Sequence, residues 1–325
     1  MDFGPHILDI NPVAETERIV TLLRTIVRQN LHRYGGVVGI SGGVDSSVVL
    51  ALCVRAFGPE HVAAIMMPEK DSDPESEKLA RMVAKHYGVE PILEDITPVL
   101  EGFRCYPRRD KAIRHLFPEF DASAGYKVKI GLPQNLLDED TLNIFYLTIV
   151  TPDSEEKTCR LPIQEYLQIV AASNFKQRSR MAMLYYHAEL RNYAVIGTAN
   201  KNEHDQGFFV KFGDGGVDLK PIAHLYKTQV YQLARYLEVP EEIRSRQPTT
   251  DTYSAPTTQQ EFFFRLPFET MDLLWYALEN NVPISEVAQG MGLTEQQVQR
   301  VYNDLTRKQR TTEYLRMPPI GLIKQ

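Results

Sequence analysis

Residues 39–52 read GISGGVDSSVVLAL, and this short stretch decides the fold. It overlaps the end of an apolar run, VVGI, and leads into an apolar helical pattern, so its paired glycines lie between a strand and a helix. Such a loop directs several backbone N–H groups at one point, and the helix N-terminus adds partial positive charge. The stretch predicts an anion-binding loop; a plain glycine turn with Asp45 as a helix cap is the alternative.

Strands and helices alternate on both sides of this loop. The runs VVGI, HVAAIMMP and VEPILEDI predict strands, and residues 46–57 and 76–86 carry helical patterns between them. A helix at residues 178–192 and a strand in YAVIG continue the alternation later in the chain. This order predicts an α/β fold with a doubly wound parallel sheet, whose ligands bind at the carboxyl ends of the strands.

The sequence pattern divides the chain into three regions. Residues 1–103 and 164–255 form the predicted α/β domain. Residues 104–163 interrupt the pattern and predict an inserted subdomain or lid, with a small hairpin. Residues 256–325 predict a helical C-terminal region, in which ISEVAQGMGLTEQQVQRVYNDL has the pattern of a helix-turn-helix.

Composition excludes several classes of protein. A hydrophobic content of 43% and three scattered cysteines are typical of a globular chain without a disulfide framework or zinc site. The formal net charge of −6 argues against broad nucleic-acid binding. The sequence has no run of about 18 apolar residues and no signal-peptide pattern at its start, so we expect a cytoplasmic protein without membrane contact.

The chemistry of the loop follows from one residue that it contains and one that it lacks. Unlike a Walker-type loop, it has no Lys before its serines. This absence favours a reaction in which the bound phosphate group leaves, instead of a transfer of the γ-phosphoryl group. Asp45 would repel phosphates unless Mg²⁺ lay between them. We therefore expect Asp45 to hold a magnesium ion.

The string SGGVDSS resembles the signature loop of the N-type ATP pyrophosphatases. Together with NFKQRSRM, GTANKNE, GFFVKFGDGGVDLKPIAHLYKTQV and QPTTD, it resembles the ammonia-dependent NAD synthetases over residues 15–100 and 172–251. The resemblance implies an adenine nucleotide alpha hydrolase-like fold. It also implies that ATP adenylates the carboxylate of nicotinic acid adenine dinucleotide, and that ammonia then displaces AMP.

The resemblance further implies roles for individual residues. The implied ATP-binding residues are Gly39, Ser41, Gly42, Gly43, Val44, Asp45, Ser46, Ser47, Thr198, Lys227 and Thr249. The implied dinucleotide-binding residues are Arg178, Lys211, Asp218, Tyr314 and Arg316. Asp45 and Glu203 are the implied magnesium ligands. Asp45, Lys211 and Lys227 are the expected catalytic group, the lysines because they offset charge on the reacting phosphates.

Partners and alternatives complete the prediction. The resemblance implies a homodimer, for which the amphipathic helix at residues 15–34 is a candidate interface. The sequence shows no glutaminase domain, so free ammonia or a separate glutaminase partner would supply nitrogen. Leu315 stands where the family has a lysine, and with the insertion it favours an alternative, a related ligase that adenylates a different carboxylate or carbonyl. A DNA-binding regulator built on the helix-turn-helix pattern is a further alternative.

Overall fold

A four-stranded parallel sheet forms the centre of the chain. The computed structural model describes residues 3–134, 136–138, 144–250 and 252–321, so the remaining positions of the predicted regions lie outside the described residues. The central strands are β1 (Gly36–Gly39), β2 (Val62–Met66), β3 (Ile92–Leu93) and β7 (Ala194–Ile196). They pair in the order β3-β2-β1-β7, all parallel. The predicted parallel sheet is confirmed.

Helices cover both faces of this sheet. One face packs against α1 (Pro12–Thr25), α2 (Val44–Phe57), α3 (Pro74–His86) and α8 (Lys227–Tyr236). The other packs against α4 (Thr97–Gly102), α5 (Cys105–Leu116) and α6 (Ile163–Arg191). Alternate residues of β1 supply the two cores: Val38 lies in the first and Val37 in the second. This two-sided burial explains why the strands read as continuous apolar runs.

Helix α6 begins fifteen residues before the predicted start at residue 178, because its first half packs on a different surface. That half packs against α5, and several of its buried positions are small or polar: Ala172, Ser173 and Lys176. Such residues do not produce an apolar stripe in the sequence. The sequence therefore shows an apolar helical pattern only in the part of α6 that packs on the sheet.

The region predicted as an insertion holds a second, antiparallel sheet. It consists of β4 (Lys127–Gly131), β5 (Tyr146–Val150) and β6 (Glu156–Arg160), paired in that order. This meander has one more strand than the expected hairpin. Its inward residues share a separate apolar cluster with α5 and the first half of α6.

The C-terminal region is helical, as predicted. A π-helical turn (Gln260–Phe264) leads to α10 (Phe268–Glu279), α11 (Ile284–Met291), α12 (Glu295–Thr311) and α13 (Glu313–Arg316). The turn of the predicted helix-turn-helix lies between α11 and α12, but α12, its second helix, packs its apolar side into a core shared with α10. Two short helices, α7 (Lys201–Gln206) and α9 (Glu241–Arg244), flank α8. In the described part of the chain, no helix has the length and hydropathy needed to span a bilayer.

Candidate active site

The glycine-rich loop joins the end of β1 to the start of α2. Gly42 has φ +74°, and a Cβ added there would lie 2.7 Å from Leu79 Cβ and 2.7 Å from the Ser76 carbonyl oxygen. Both the left-handed backbone and the close approach of α3 therefore require glycine. Gly43 occupies the N-cap position of α2 and has no side chain to cap the helix. The first N–H groups of α2 are thus left for another acceptor.

The loop serines close the turn by bonding to its backbone. Ser46 Oγ donates to the Gly43 carbonyl oxygen at 3.0 Å, and Ser47 Oγ donates to the same oxygen at 2.8 Å. Ser41 Oγ lies 3.4 Å from Ser46 Oγ. These contacts fix the turn of the loop, and residues 39–46 line the cleft described below.

Asp45 and Lys227 form an ion pair beside the loop. Lys227 is the first residue of α8 and is fully buried, and its ammonium contacts one carboxylate oxygen of Asp45. Asn200 Nδ2 donates to the other oxygen at 3.0 Å. Burial disfavours the charged ammonium, but Asp45 and Glu203 outweigh it and raise the pKa of Lys227. A cation at a helix N-terminus is unfavourable by itself, and Asp45 supplies its counter-charge.

Glu203 is the second carboxylate at this edge of the sheet. It stands at the third position of α7, where its backbone N–H donates to Asn200 Oδ1 at 3.0 Å and its carboxylate accepts from Asn200 N at 3.2 Å. Gln259 Nε2 donates to its other oxygen at 3.2 Å. Burial and the nearby negative charge of Asp45 raise the pKa of Glu203 to about 8. Asn200 therefore bridges two carboxylates that repel each other and could share one cation.

These groups open into one cleft of about 790 Å³. Its walls include the glycine-rich loop, the segment after β2, helix α6 and the residues 247–250, 252 and 253. Most predicted site residues line it: Gly39, Ser41, Gly42, Gly43, Val44, Asp45, Ser46, Arg178, Thr198, Glu203, Lys211, Lys227, Thr249 and Tyr314. A cleft of this size is large enough for a nucleotide ligand.

Three predicted site residues lie outside the cleft lining. Ser47 is buried and serves the loop turn. Asp218 accepts from the Val195 amide at 2.8 Å and from the Tyr185 hydroxyl at 3.0 Å, which ties the segment before residue 219 to β7. Arg316 donates to the carbonyl oxygens of the chain around it instead of pointing at the cleft. Within the single chain, these contacts support local structure.

Lys211 holds the C-terminal tail against the cleft. Its ammonium donates to the Tyr314 carbonyl oxygen at 2.8 Å and to the Met317 carbonyl oxygen at 2.9 Å. Leu315, which stands in the lysine position of the family pattern, lines the cleft beside Tyr314. The tail therefore contributes an apolar side chain where the resemblance implied a charge.

Sequence reasoning missed several groups that line or support the cleft. Asn200 could have been found, because Asn three residues before Glu is a capping-box pattern. Gln259 stands in a segment without a recognisable motif. The aromatic end of the cleft includes Phe145 and Tyr166, which stack with ring centroids 4.7 Å apart and come from separate elements of the inserted region and α6. Only tertiary structure brings these groups to the cleft.

Comparison with known proteins adds an independent line of evidence. The NAD synthase family pattern matches residues 15–116 and 135–319. The NH(3)-dependent NAD(+) synthetase of Rhizobium meliloti (strain 1021) is 49% identical over 317 residues, which cover 98% of this chain and 94% of that protein. The protein of the same name from Mesorhizobium japonicum is 50% identical over 96% of this chain and 97% of its own length.

Solved structures with the same fold include two from other bacteria. The NH3-dependent NAD synthetase from Campylobacter jejuni, in complex with the nitrate ion, has a TM-score of 0.61 at 24% identity and covers 96% of this chain and 100% of that one. The NMN synthetase from Francisella tularensis has a TM-score of 0.60 at 21% identity, covering 96% and 99%. At these identities the likeness establishes the shared fold.

Proposed function

The chain belongs to the NAD synthase family, and from that membership we propose that it amidates nicotinic acid adenine dinucleotide to NAD, using ATP and ammonia. The observation that carries the proposal is the cleft at the carboxyl end of β1. There the uncapped start of α2, Asp45 and the Lys227 ammonium face one space. A polyphosphate is the ligand that this combination suits.

The reaction has two steps. A carboxylate oxygen of the nicotinate ring attacks the α-phosphorus of ATP, and pyrophosphate leaves. Ammonia then attacks the carboxyl carbon of the acyl-adenylate; the C–O bond to AMP breaks, and the nitrogen loses a proton as the amide forms. No covalent enzyme intermediate is needed, so the chain's contribution is positioning and electrostatic stabilisation.

The cleft residues divide between the two ends of ATP and the acceptor. The amide groups of the glycine-rich loop and the charge of Lys227 suit the departing pyrophosphate. Arg178 on α6 and Lys211 beside the tail suit the phosphates of the dinucleotide, because both are cationic side chains that line the cleft. The aromatic end of the cleft suits a nicotinate or adenine ring.

We assign Asp45 and Glu203 as the residues that would hold Mg²⁺. Two carboxylates joined through Asn200 match an ion that takes few protein ligands together with water and phosphate oxygens. Burial and then the repulsion from Asp45 raise the pKa of Glu203, and a divalent cation would relieve that repulsion. When bound, the ion supplies positive charge to the phosphate oxygens of ATP. Among the described residues, no group of three or more His, Cys, Asp or Glu side chains is arranged to hold a metal ion without other ligands.

We also propose that two copies of the chain form a homodimer through α6. The second half of α6 exposes a row at four-residue spacing, Arg178, Ala182, Tyr186 and Leu190, which we call the α6 ridge. Tyr186 is 56% exposed and Leu190 is 64% exposed. A two-fold contact along this ridge would lie directly beside the cleft, because Arg178 belongs to both. Helix α1 is less suitable, since its apolar residues Ile19 and Leu23 are buried in the core.

The proposed function is tested by identifying products. The purified chain with ATP, Mg²⁺, ammonium and nicotinic acid adenine dinucleotide should form NAD, AMP and pyrophosphate in equal amounts. Nicotinic acid mononucleotide, which keeps the same ring carboxylate but lacks the adenylyl half, should react far more slowly. Glutamine in place of ammonium should support turnover only if a glutaminase partner is added. Folded protein that binds ATP but forms no NAD would contradict the proposal.

A further inference from the structure

A buried group of charged side chains lies behind one wall of the cleft, next to the inserted region. It connects the segment after β2 with α5, α6 and the segment around residue 252. We call it the buried ion cluster; its members are Glu69, Asp71, Tyr106, Arg109, Asp110 and Lys176. Charged groups this deep in a protein are costly unless each is paired, so their arrangement is closely determined.

Lys176 on α6 is the centre of the cluster. Its ammonium lies 2.8 Å from Glu69 Oε1 and 2.8 Å from Asp71 Oδ2, and it donates to the Thr252 carbonyl oxygen at 2.8 Å. The side chain is only 1% exposed. Two hydrogen bonds and one close ion pair thus join Lys176 to two separate segments of the chain. Both of those segments, near residues 72 and 252, line the cleft.

Arg109 on α5 completes the cluster from the inserted region. Its guanidinium contacts Asp71 and, through Nε, donates to Asp110 Oδ1 at 2.8 Å. Without the Arg109 guanidinium, the cluster would hold the three carboxylates of Glu69, Asp71 and Asp110 and a single cation, the Lys176 ammonium. The inserted region therefore supplies the charge that balances the segment after β2.

Glu69 folds that segment back on itself. Its Oε2 accepts from the Asp71 amide at 3.0 Å and from the Tyr106 hydroxyl at 2.7 Å. The Ser72 hydroxyl in turn accepts from the Glu69 amide at 3.1 Å. Ser72 and Asp73, near the end of that segment, line the cleft together with the glycine-rich loop.

We propose that Arg109 and Lys176 are positioning residues for ATP: the inserted region, through the buried ion cluster, holds the walls at residues 68–73 and at residues 249, 250 and 252 at the spacing that nucleotide binding needs. This inference rests on the proposed function for its substrate. It gives α5 a role in ATP binding, although none of the α5 residues lines the cleft within the described part of the chain. Both cations act through other groups and contact no substrate.

The test compares Arg109→Met with Arg114→Met, an arginine on the exposed side of the same helix. ATP binding is measured by titration calorimetry without acceptor, and steady-state rates are measured for ATP, acceptor and ammonium. Arg109→Met should raise the Kd and KM for ATP by about tenfold or more while kcat at saturating ATP changes less than about threefold. Arg109→Lys should recover part of the loss, and Arg114→Met should behave as wild type.

The outcomes separate a positioning role from a purely structural one. Folded Arg109→Met with a lower melting temperature but unchanged ATP affinity would overturn the inference. If that variant does not fold, Tyr106→Phe decides, since it removes only the hydroxyl bond to Glu69: unchanged ATP affinity there would also overturn it. The calorimetric arm needs no NAD formation, so a wild type that binds ATP without making NAD would count against the proposed function alone.

Discussion

The fully buried Lys227 and the partly exposed Asp45 form an ion pair that joins the first turns of α8 and α2 across 182 positions of sequence. Both residues line the cleft at the end of β1. It also explains how a lysine is stable at a helix N-terminus, and it places a carboxylate beside the anion-binding loop. Two residues that belong to different motifs of the sequence thus form one functional unit.

Asp45→Asn should abolish most turnover. The amide keeps the size of the side chain but removes the negative charge that balances Lys227 and that we assign to Mg²⁺. We expect kcat/KM for ATP to fall by at least about 100-fold, measured at saturating acceptor and ammonium. Asp153→Asn, in the exposed turn between β5 and β6, is the matched control and should retain full activity. Near-normal activity in folded Asp45→Asn would remove this residue from the machinery.

Gly42→Ala should cost both stability and ATP affinity. The new Cβ would overlap α3, and the left-handed backbone would be strained, which together cost about 2 kcal/mol or more. Gly292→Ala is the control: its φ is +64°, but an added Cβ there meets open space in the described structure. The difference between the two variants in urea unfolding isolates the contact with α3. Equal destabilisation would mean that the close approach contributes nothing.

Because of Asp272, we expect the free energy of unfolding to decrease as pH rises through mildly acidic values. It is fully buried and accepts from Asn202 Nδ2 and from the Thr228 amide, and burial raises its pKa to about 6 from an ordinary 3.8. The folded state therefore keeps a proton that the unfolded state releases. The stabilisation is complete below about pH 4 and is lost as pH approaches 6.

The comparison of wild type with Asp272→Asn measures this effect. The free energy of unfolding of wild type minus that of the variant should decrease by up to about 1.4 kcal/mol per pH unit between roughly pH 4 and 6. Urea unfolding at intervals of half a pH unit gives the difference directly. A difference that stays constant across this range would show that Asp272 is already ionised in the folded state.

The α6 ridge should control assembly. Leu190→Asp places a charge in the proposed two-fold contact and should convert a dimer to a monomer in sedimentation equilibrium. Val13→Asp, a similarly exposed apolar position on α1, should leave the dimer intact. If Val13→Asp gave a monomer and Leu190→Asp stayed a dimer, the interface would lie on α1. A monomeric wild type would contradict the proposed dimer.

The sequence predicts the glycine-rich loop and the sheet well because both depend on local features. The SGGVDSS string combines turn chemistry with a strand before it and a helix after it, and each part can be recognised from neighbouring residues. Glu203 and Lys227 were predicted through family motifs, and the structure brings them together at the same strand ends. Their roles as metal ligand and catalytic lysine stay predictions.

The rest depends on tertiary contacts that no local pattern encodes. Lys176 and Arg109 look like ordinary solvated charges on amphipathic helices, yet both are buried because α5 and α6 pack together over the segment after β2. Asp218 shows the converse: a charged residue in a specific motif bonds to the β7 backbone instead of lining the cleft. The sequence alone does not indicate which charged side chains are buried in the folded protein.

Oxygen transfer tests the central claim, amidation through an acyl-adenylate, most directly. The acceptor dinucleotide is labelled with ¹⁸O in its nicotinate carboxylate and turned over with ATP and ammonium, and the AMP is examined by mass spectrometry. Adenylation passes one carboxylate oxygen to the phosphate of AMP, so each AMP should carry one ¹⁸O and the NAD amide should keep the other. Unlabelled AMP, or NAD formed without AMP, would contradict the account.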